Sequence, residues 1–102
     1  MTNYTRGANF EREVLALLEQ QGWRCQRAAG SHGPADVWAA RQIIHWDGTV
    51  WTRVLHVQCK AGNAAMKREE FNTLLDLQAF TGGHIAVATK RNGNVIIKEI
   101  GQ

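Results

Sequence analysis

The run Val50–Lys60 constrains this chain more than any other feature. It is rich in β-branched and aromatic residues, follows the pair Asp47-Gly48, and faces a second β-rich run, Gln42–Trp46, across that pair. Aspartate–glycine between two such runs predicts a hairpin with a type I′ turn. Period 2 then puts His56, Gln58 and Lys60 on one face of the second run. Leu55, Val57 and Cys59 point to the other. The apolar face needs a packing element. The polar face needs partners, since a buried glutamine left unpaired costs about 1–3 kcal/mol.

Two segments have the pattern of helices that can cover such a sheet. Phe10, Val14, Leu17 and Leu18 recur at the spacing of one buried face, predicting a helix from about Ala8 to Gln21 with Thr5 or Asn9 as its cap and Gly22 as its stop. Phe71, Leu74, Leu75 and Gln78, with Leu77 at the edge, predict a second from about Ala65 to Phe80, ended by Gly82-Gly83. Further strands are expected at Trp23–Ala29, Asp36–Ala40, His84–Thr89 and Val95–Ile100, the last two joined by hairpin chemistry at Arg91-Asn92-Gly93-Asn94. The expected fold is α/β: a single domain with a central mixed five-stranded sheet flanked by helices, in the order α-β-β-β-α-β-β. Residues 1–7 are expected as a flexible N-terminal arm on a domain spanning 1–102.

The 102 residues leave room for one core, and a domain of that size gains from oligomerisation. An apolar fraction of 44% and a charged fraction of 21% exclude a disordered chain. No stretch approaches the ~20 apolar residues of a membrane span. Met1–Gly7 contains no apolar secretion signal, and Cys25 and Cys59 form no CxxC pair, so an intracellular, cytoplasmic protein is expected. The net charge of +3 suits a polyanionic partner. The four histidines and two cysteines match no zinc spacing. Trp23, Trp38, Trp46 and Trp51 lie mostly at strand positions, where core or interface packing is expected ahead of base stacking.

The residues suited to chemistry lie between Gly30 and Lys60, with Glu11 as an outlier. Asp36 enters a strand next to a glycine-rich loop, Gly30–Pro34, that holds Ser31 and His32. Such a loop can contact phosphate, although it contains no nucleoside-triphosphate cradle. Asp36 can equally be a turn residue, and Lys60 a lysine that keeps its charge in water at a strand end. Together, a carboxylate, the Gln58 amide oxygen and a lysine can hold Mg²⁺ beside a cation that steadies an attacking water. Glu11 and Glu13 also suit a helix N-terminus on dipole grounds alone.

These residues carry a resemblance. Gly7-Ala8, Glu11-Arg12-Glu13, Gly22-Trp23, Arg27-Ala28-Ala29-Gly30-Ser31, Asp36 and Gln58-Cys59-Lys60 resemble the archaeal-type Holliday junction resolvases of the PD-(D/E)xK nuclease superfamily, whose fold is restriction-endonuclease-like. Gly33-Pro34-Ala35-Asp36 and Val57-Gln58-Cys59-Lys60 are also similar to small phage-type members. The resemblance implies that Glu11, Asp36 and Gln58, with the Cys59 backbone carbonyl, bind Mg²⁺, for which Mn²⁺ can substitute. It implies that Lys60 and Ser31 act in the active site and that Arg12 and Arg27 contact DNA; Arg6, in the polar N-terminal stretch, and His32, in the glycine loop, are further expected DNA contacts. It further implies a homodimer that nicks opposed strands of a four-way junction, in a bacterial, archaeal or phage-infected cell. Gln58 departs from the family's glutamate. Two alternatives follow from that departure: an Mrr-like nuclease of duplex DNA, and a junction-binding protein weakened in catalysis. The segment Arg41–Arg53 is longer than the family pattern needs.

Overall fold

The computed structural model describes residues 3–28, 35–61 and 65–101, with side chains from residue 7 onward. The elements run α1 (Asn3–Gln20), β1 (Arg24–Arg27), β2 (Val37–Ile44), β3 (Val50–Lys60), α2 (Arg68–Thr81), β4 (His84–Arg91) and β5 (Asn94–Ile100). The order is α-β-β-β-α-β-β, as the patterning predicts. One five-stranded sheet forms, with neighbours in the order β1-β2-β3-β4-β5. Every pairing is antiparallel except β3 with β4. A parallel pair cannot be joined by a tight turn and needs a crossover, which α2 supplies.

The two helices lie on opposite faces. Phe10, Val14 and Leu18 of α1 are buried against Trp23, Val37, Ala39, Leu55, Val57, Ala86 and Ala88. Leu74 of α2 is buried with Ile85 and Ala35, flanked by Met66, Leu75, Leu77 and Ile100. The pleat of β4 shows the division, since Ala86 and Ala88 face α1 while Ile85, one residue off, faces α2. The alternation of β3 is as expected: Leu55 and Val57 belong to the α1 core, and Cys59 packs against it.

Three local expectations need correction. α1 begins at Asn3, so residues 3–7, expected as an arm, belong to its first turns, and Asn9 lies inside the helix. The apolar period marks only the buried stretch of a helix, and Gly7 costs a helix interior only about 1 kcal/mol. Gln42–Trp46 is no separate hairpin arm: Val37 to Ile44 is one strand, paired with β3 throughout. Its turn is not type I′. Gly48 donates to the His45 carbonyl at 2.9 Å, His45 donates to the Thr49 carbonyl at 2.8 Å, and Gly48 alone takes a left-handed φ, of +88°. That is a type I turn closed by a glycine bulge, in a three-residue loop. The Asp47 carboxylate accepts from the Thr49 backbone and hydroxyl at 3.0 and 2.7 Å, which a type I′ turn does not require. The type I′ pattern occurs instead between β4 and β5, where Asn92 and Gly93 take φ of +54° and +80°.

The tryptophans also divide. Trp23 is buried, with the Arg41 guanidinium 4.9 Å from its ring centroid. Trp38, Trp46 and Trp51 are exposed, Trp46 almost fully at 97%. Strand position gave no access to which face a helix would cover.

Candidate active site

Asp36 sits where β2 begins, and its surroundings follow from strand register. Its backbone N–H donates to the Val57 carbonyl at 2.9 Å, and its carbonyl accepts from Ala28 N–H at 2.8 Å. The β2–β3 register ends at Val37 opposite Val57. The N–H of Cys59, two residues further along β3, therefore points past the end of β2. The Asp36 carboxylate takes it, with Oδ2 accepting at 2.8 Å. In an antiparallel pair a residue's N–H and C=O face the same neighbour. The Cys59 carbonyl accordingly lies on the Asp36 side of β3.

Burial raises the Asp36 carboxyl above the ordinary aspartate value. The Cys59 hydrogen bond opposes that shift, and the charges of Glu11 and Glu70 add to it while Lys60 works against it. Two carboxylates and one lysine thus act on Asp36. The Cys59 thiol is pushed up, first by burial and then by Asp36 and Glu11, so it stays neutral and packs as an apolar group.

Glu11 is the only charged residue buried among those described, at 8% exposure. A buried carboxylate requires a partner. Arg27 Nε on β1 donates to its Oε1 at 3.0 Å. Arg27, expected on DNA, is thus held by Glu11, and Glu11, expected on a cation, is held by Arg27. Arg12 is exposed and donates to Asn9 at 3.1 Å. Glu13 accepts from Lys90 of β4 at 2.9 Å, a half-exposed surface pair. Ser31, His32 and the Arg6 side chain lie outside the described residues.

Gln58 and Lys60 project together toward α2. There they meet Glu70, a residue that sequence patterning did not single out. Lys60 Nζ donates to Glu70 Oε2, and Gln58 Nε2 donates to the same oxygen at 3.4 Å. The other Glu70 oxygen accepts from Lys67 N–H at 2.9 Å, half of a capping box at the start of α2. Lys60 and the hydrogen-bonded cap hold the Glu70 carboxyl below the usual glutamate value. A first-turn glutamate is ordinary helix chemistry, so nothing at position 70 itself signalled the site.

The donor set is one of hard oxygens: the Asp36 and Glu11 carboxylates, the Gln58 amide oxygen and the Cys59 carbonyl. This chemistry suits Mg²⁺ or Mn²⁺ and not a soft metal. Among the described residues no group of three or more His, Cys, Asp or Glu side chains is arranged to hold a metal. A cation here would rely on the amide and the carbonyl as well as on carboxylates. A concavity of about 720 Å³ lies elsewhere, on the outer face of β1 and β2, lined by Arg24, Trp38, Gln42, Ile44 and neighbours, none of them in the Asp36–Lys60 group.

Comparison with known proteins is consistent with this layout. The family described as archaeal Holliday junction resolvase (Hjc) matches residues 2–100. The crossover junction endodeoxyribonuclease Hjc of Methanocaldococcus jannaschii is 31% identical over 96 residues, which cover 91% of this chain and 65% of that protein. This chain therefore spans just under two thirds of the curated relative. The solved structure of Archaeoglobus fulgidus Hjc, a Holliday junction resolvase from an archaeal hyperthermophile, superposes with a TM-score of 0.68 at 22% identity, covering 91% of this chain and 71% of that one. That likeness establishes the fold, a small α/β domain with a mixed five-stranded sheet and two helices. With the match running through almost the whole chain, this protein belongs to the archaeal Holliday junction resolvase (Hjc) family.

Proposed function

We propose that the protein is a divalent-metal-dependent endodeoxyribonuclease that resolves four-way DNA junctions by paired nicks. The observation that carries this reading is the convergence at the Asp36 end of β2 and β3: a raised, half-buried carboxyl beside the Gln58-x-Lys60 face. Asp36, Gln58 and the Cys59 carbonyl would hold the cation, with Glu11 as a further ligand once released from Arg27. Bound there, Mg²⁺ or Mn²⁺ supplies charge to the scissile phosphate and to the leaving oxygen. Lys60 donates a hydrogen bond to the attacking water and fixes its direction. Water oxygen bonds to phosphorus and releases a proton to solvent, the bond to the departing sugar oxygen breaks, and that oxygen takes up a proton from solvent. Arg12 and Arg27, with Arg6 and His32, are assigned to the phosphate backbone, and Ser31 to the active-site loop.

Paired nicks on a two-fold junction require two sites, which a homodimer provides by symmetry. The face of β2 and β3 that α2 leaves open carries exposed Trp38, Ile44 and Val50, apolar surface of the kind a dimer buries. Residues 1–102 act as one nuclease domain of the PD-(D/E)xK superfamily, of the phage-type branch, working in the cytoplasm.

Strand-resolved cleavage of a synthetic four-way junction tests the proposal, with linear duplex as the comparison. Symmetric nicks in the junction with Mg²⁺ or Mn²⁺, absent with EDTA and in Asp36→Asn, are expected. Equal cutting by Asp36→Asn, or preference for linear duplex, would overturn it.

A further inference from the structure

The contact between β3 and the start of α2 gives Glu70 a role that its place in a helix cap does not account for. We propose that Glu70 is the positioning residue that makes the Gln58-x-Lys60 pair competent, supplying from α2 the carboxylate that position 58 lacks. This rests on the reading of the Asp36 group as a cation-dependent nuclease centre.

The argument is geometric. Glu70 Oε2 is the shared acceptor for Gln58 Nε2 and Lys60 Nζ. A carboxylate only accepts, so the Gln58 amide must present its nitrogen to Glu70. Its oxygen is then turned away from Glu70 and free to act as a ligand. Without Glu70 the amide can rotate and offer an NH₂ group, which repels a cation. Lys60 is fixed by the same oxygen, so one carboxylate sets the orientation of both side chains. The charge balance agrees. Glutamine at 58 removes one negative charge, and Glu70, on the same face and close enough to act on Asp36, returns it. The Lys60 side chain is 16% exposed and that of Glu70 28%, so the pair is only partly screened by water.

The division of labour between the two Glu70 oxygens makes the idea testable. Oε1 caps α2 through Lys67 N–H, and Oε2 serves Gln58 and Lys60. In Glu70→Gln the amide oxygen can keep the cap, since glutamine is accepted at that position of a capping box. The amide nitrogen then faces Gln58 and Lys60 and loses both bonds. Mn²⁺ titration of the DNA-free protein by calorimetry reads the site without requiring turnover, and junction cleavage is measured in parallel. Glu70→Gln is expected to weaken Mn²⁺ binding by about 10–100-fold, the usual effect of losing a residue that orients metal ligands. Cleavage should fall with it. Glu69→Gln removes an exposed charge from the same helix turn and should change Mn²⁺ binding by less than about twofold, within the scatter expected of a screened surface charge. Gln58→Glu should recover most of the lost affinity in the Glu70→Gln background while adding little in the parent, a dependence on Glu70 that a purely structural role would not give.

Unchanged Mn²⁺ affinity in Glu70→Gln would overturn the proposal, as would failure of Gln58→Glu to restore it. A parent protein that binds Mn²⁺ but cuts no junction would overturn the substrate reading alone, while the binding series still decides the role of Glu70. A parent that binds no Mn²⁺ would overturn both.

Discussion

Replacing Arg27 with methionine tests the electrostatics that hold α1 to the sheet beside the candidate active site. The Glu11 side chain is 11% exposed and that of Arg27 28%, with 3.0 Å between Nε and Oε1. Methionine keeps much of the packing of the arginine stem and removes the charge. Removing one partner of a fully buried ion pair costs about 3–5 kcal/mol, because the other charge is left uncompensated. Arg27 keeps partial contact with water, so the smaller cost of a buried unsatisfied polar group applies, about 1–3 kcal/mol. For a domain of this size a loss near 2 kcal/mol lowers Tm by about 8–16 °C. Glu11 also acts on Asp36, so the freed charge adds repulsion inside the site. Urea and thermal unfolding of the parent, Arg27→Met, Glu11→Gln and the double variant form a double-mutant cycle. Glu11→Gln should recover at least about 1 kcal/mol in the Arg27→Met background, a coupling typical of residues in direct contact. An Arg27→Met protein within about 0.5 kcal/mol of the parent, the range of a neutral surface change, would refute the reasoning. So would a cycle with no coupling, which would mean that Arg27 is free to serve DNA alone.

Other perturbations follow from the same contacts. The folded Asp36 carboxyl titrates above its ordinary value of 3.8, chiefly through burial. Such a group stabilises the fold below its unfolded pKa and loses that contribution as pH rises through its folded pKa. Asp36→Asn should therefore gain stability relative to the parent between about pH 4 and pH 7 while losing cleavage, and a constant difference across urea titrations in that range would refute this. Leu74 is fully buried between α2 and the sheet. Its replacement by alanine should cost about 2–5 kcal/mol in urea unfolding, whereas a loss below 1 kcal/mol would mean that α2 packs loosely. A Cβ at Gly83 would lie 3.0 Å from the Val54 carbonyl oxygen and 3.3 Å from His56 Nε2. Gly83→Ala should destabilise the fold by about 1–3 kcal/mol by thermal melting, and an unshifted Tm would show that this strand start can move aside. Trp46→Ser, at the exposed hairpin tip, should leave stability within about 0.5 kcal/mol, and a larger loss would mean that the hairpin packs on a second copy in solution.

Much of this molecule is written in its sequence, because short-range chemistry decides it. The alternation at Leu55, Val57 and Cys59 against His56, Gln58 and Lys60 set the two faces of β3. The repeats at Phe10, Val14 and Leu18, and at Leu74, set which side of each helix is buried. Asp36, Gln58 and Lys60 could be named as candidates because strand pairing between neighbouring segments brings strand ends together. What stayed out of reach depended on groups distant in sequence. A helix start is fixed by backbone bonds that polar residues such as Asn3 accept as readily as Ala8, so α1 is longer than its apolar pattern. The turn at Asp47-Gly48 took its form from the Asp47–Thr49 bonds, which compete with the type I′ geometry favoured by the pair alone.

Tertiary structure alone decided the pairings of the charged residues. Glu11 meets Arg27 only because α1 crosses β1, and Glu70 meets Gln58 and Lys60 only because the β3–β4 crossover returns α2 over that face. The sequence by itself determined the layers, the strand faces and the line of polar groups along β3. It left open which charge answers which, since Coulomb interactions depend on distance through space, and where Glu70 lies relative to Lys60 is settled by the packing of α2 on the sheet.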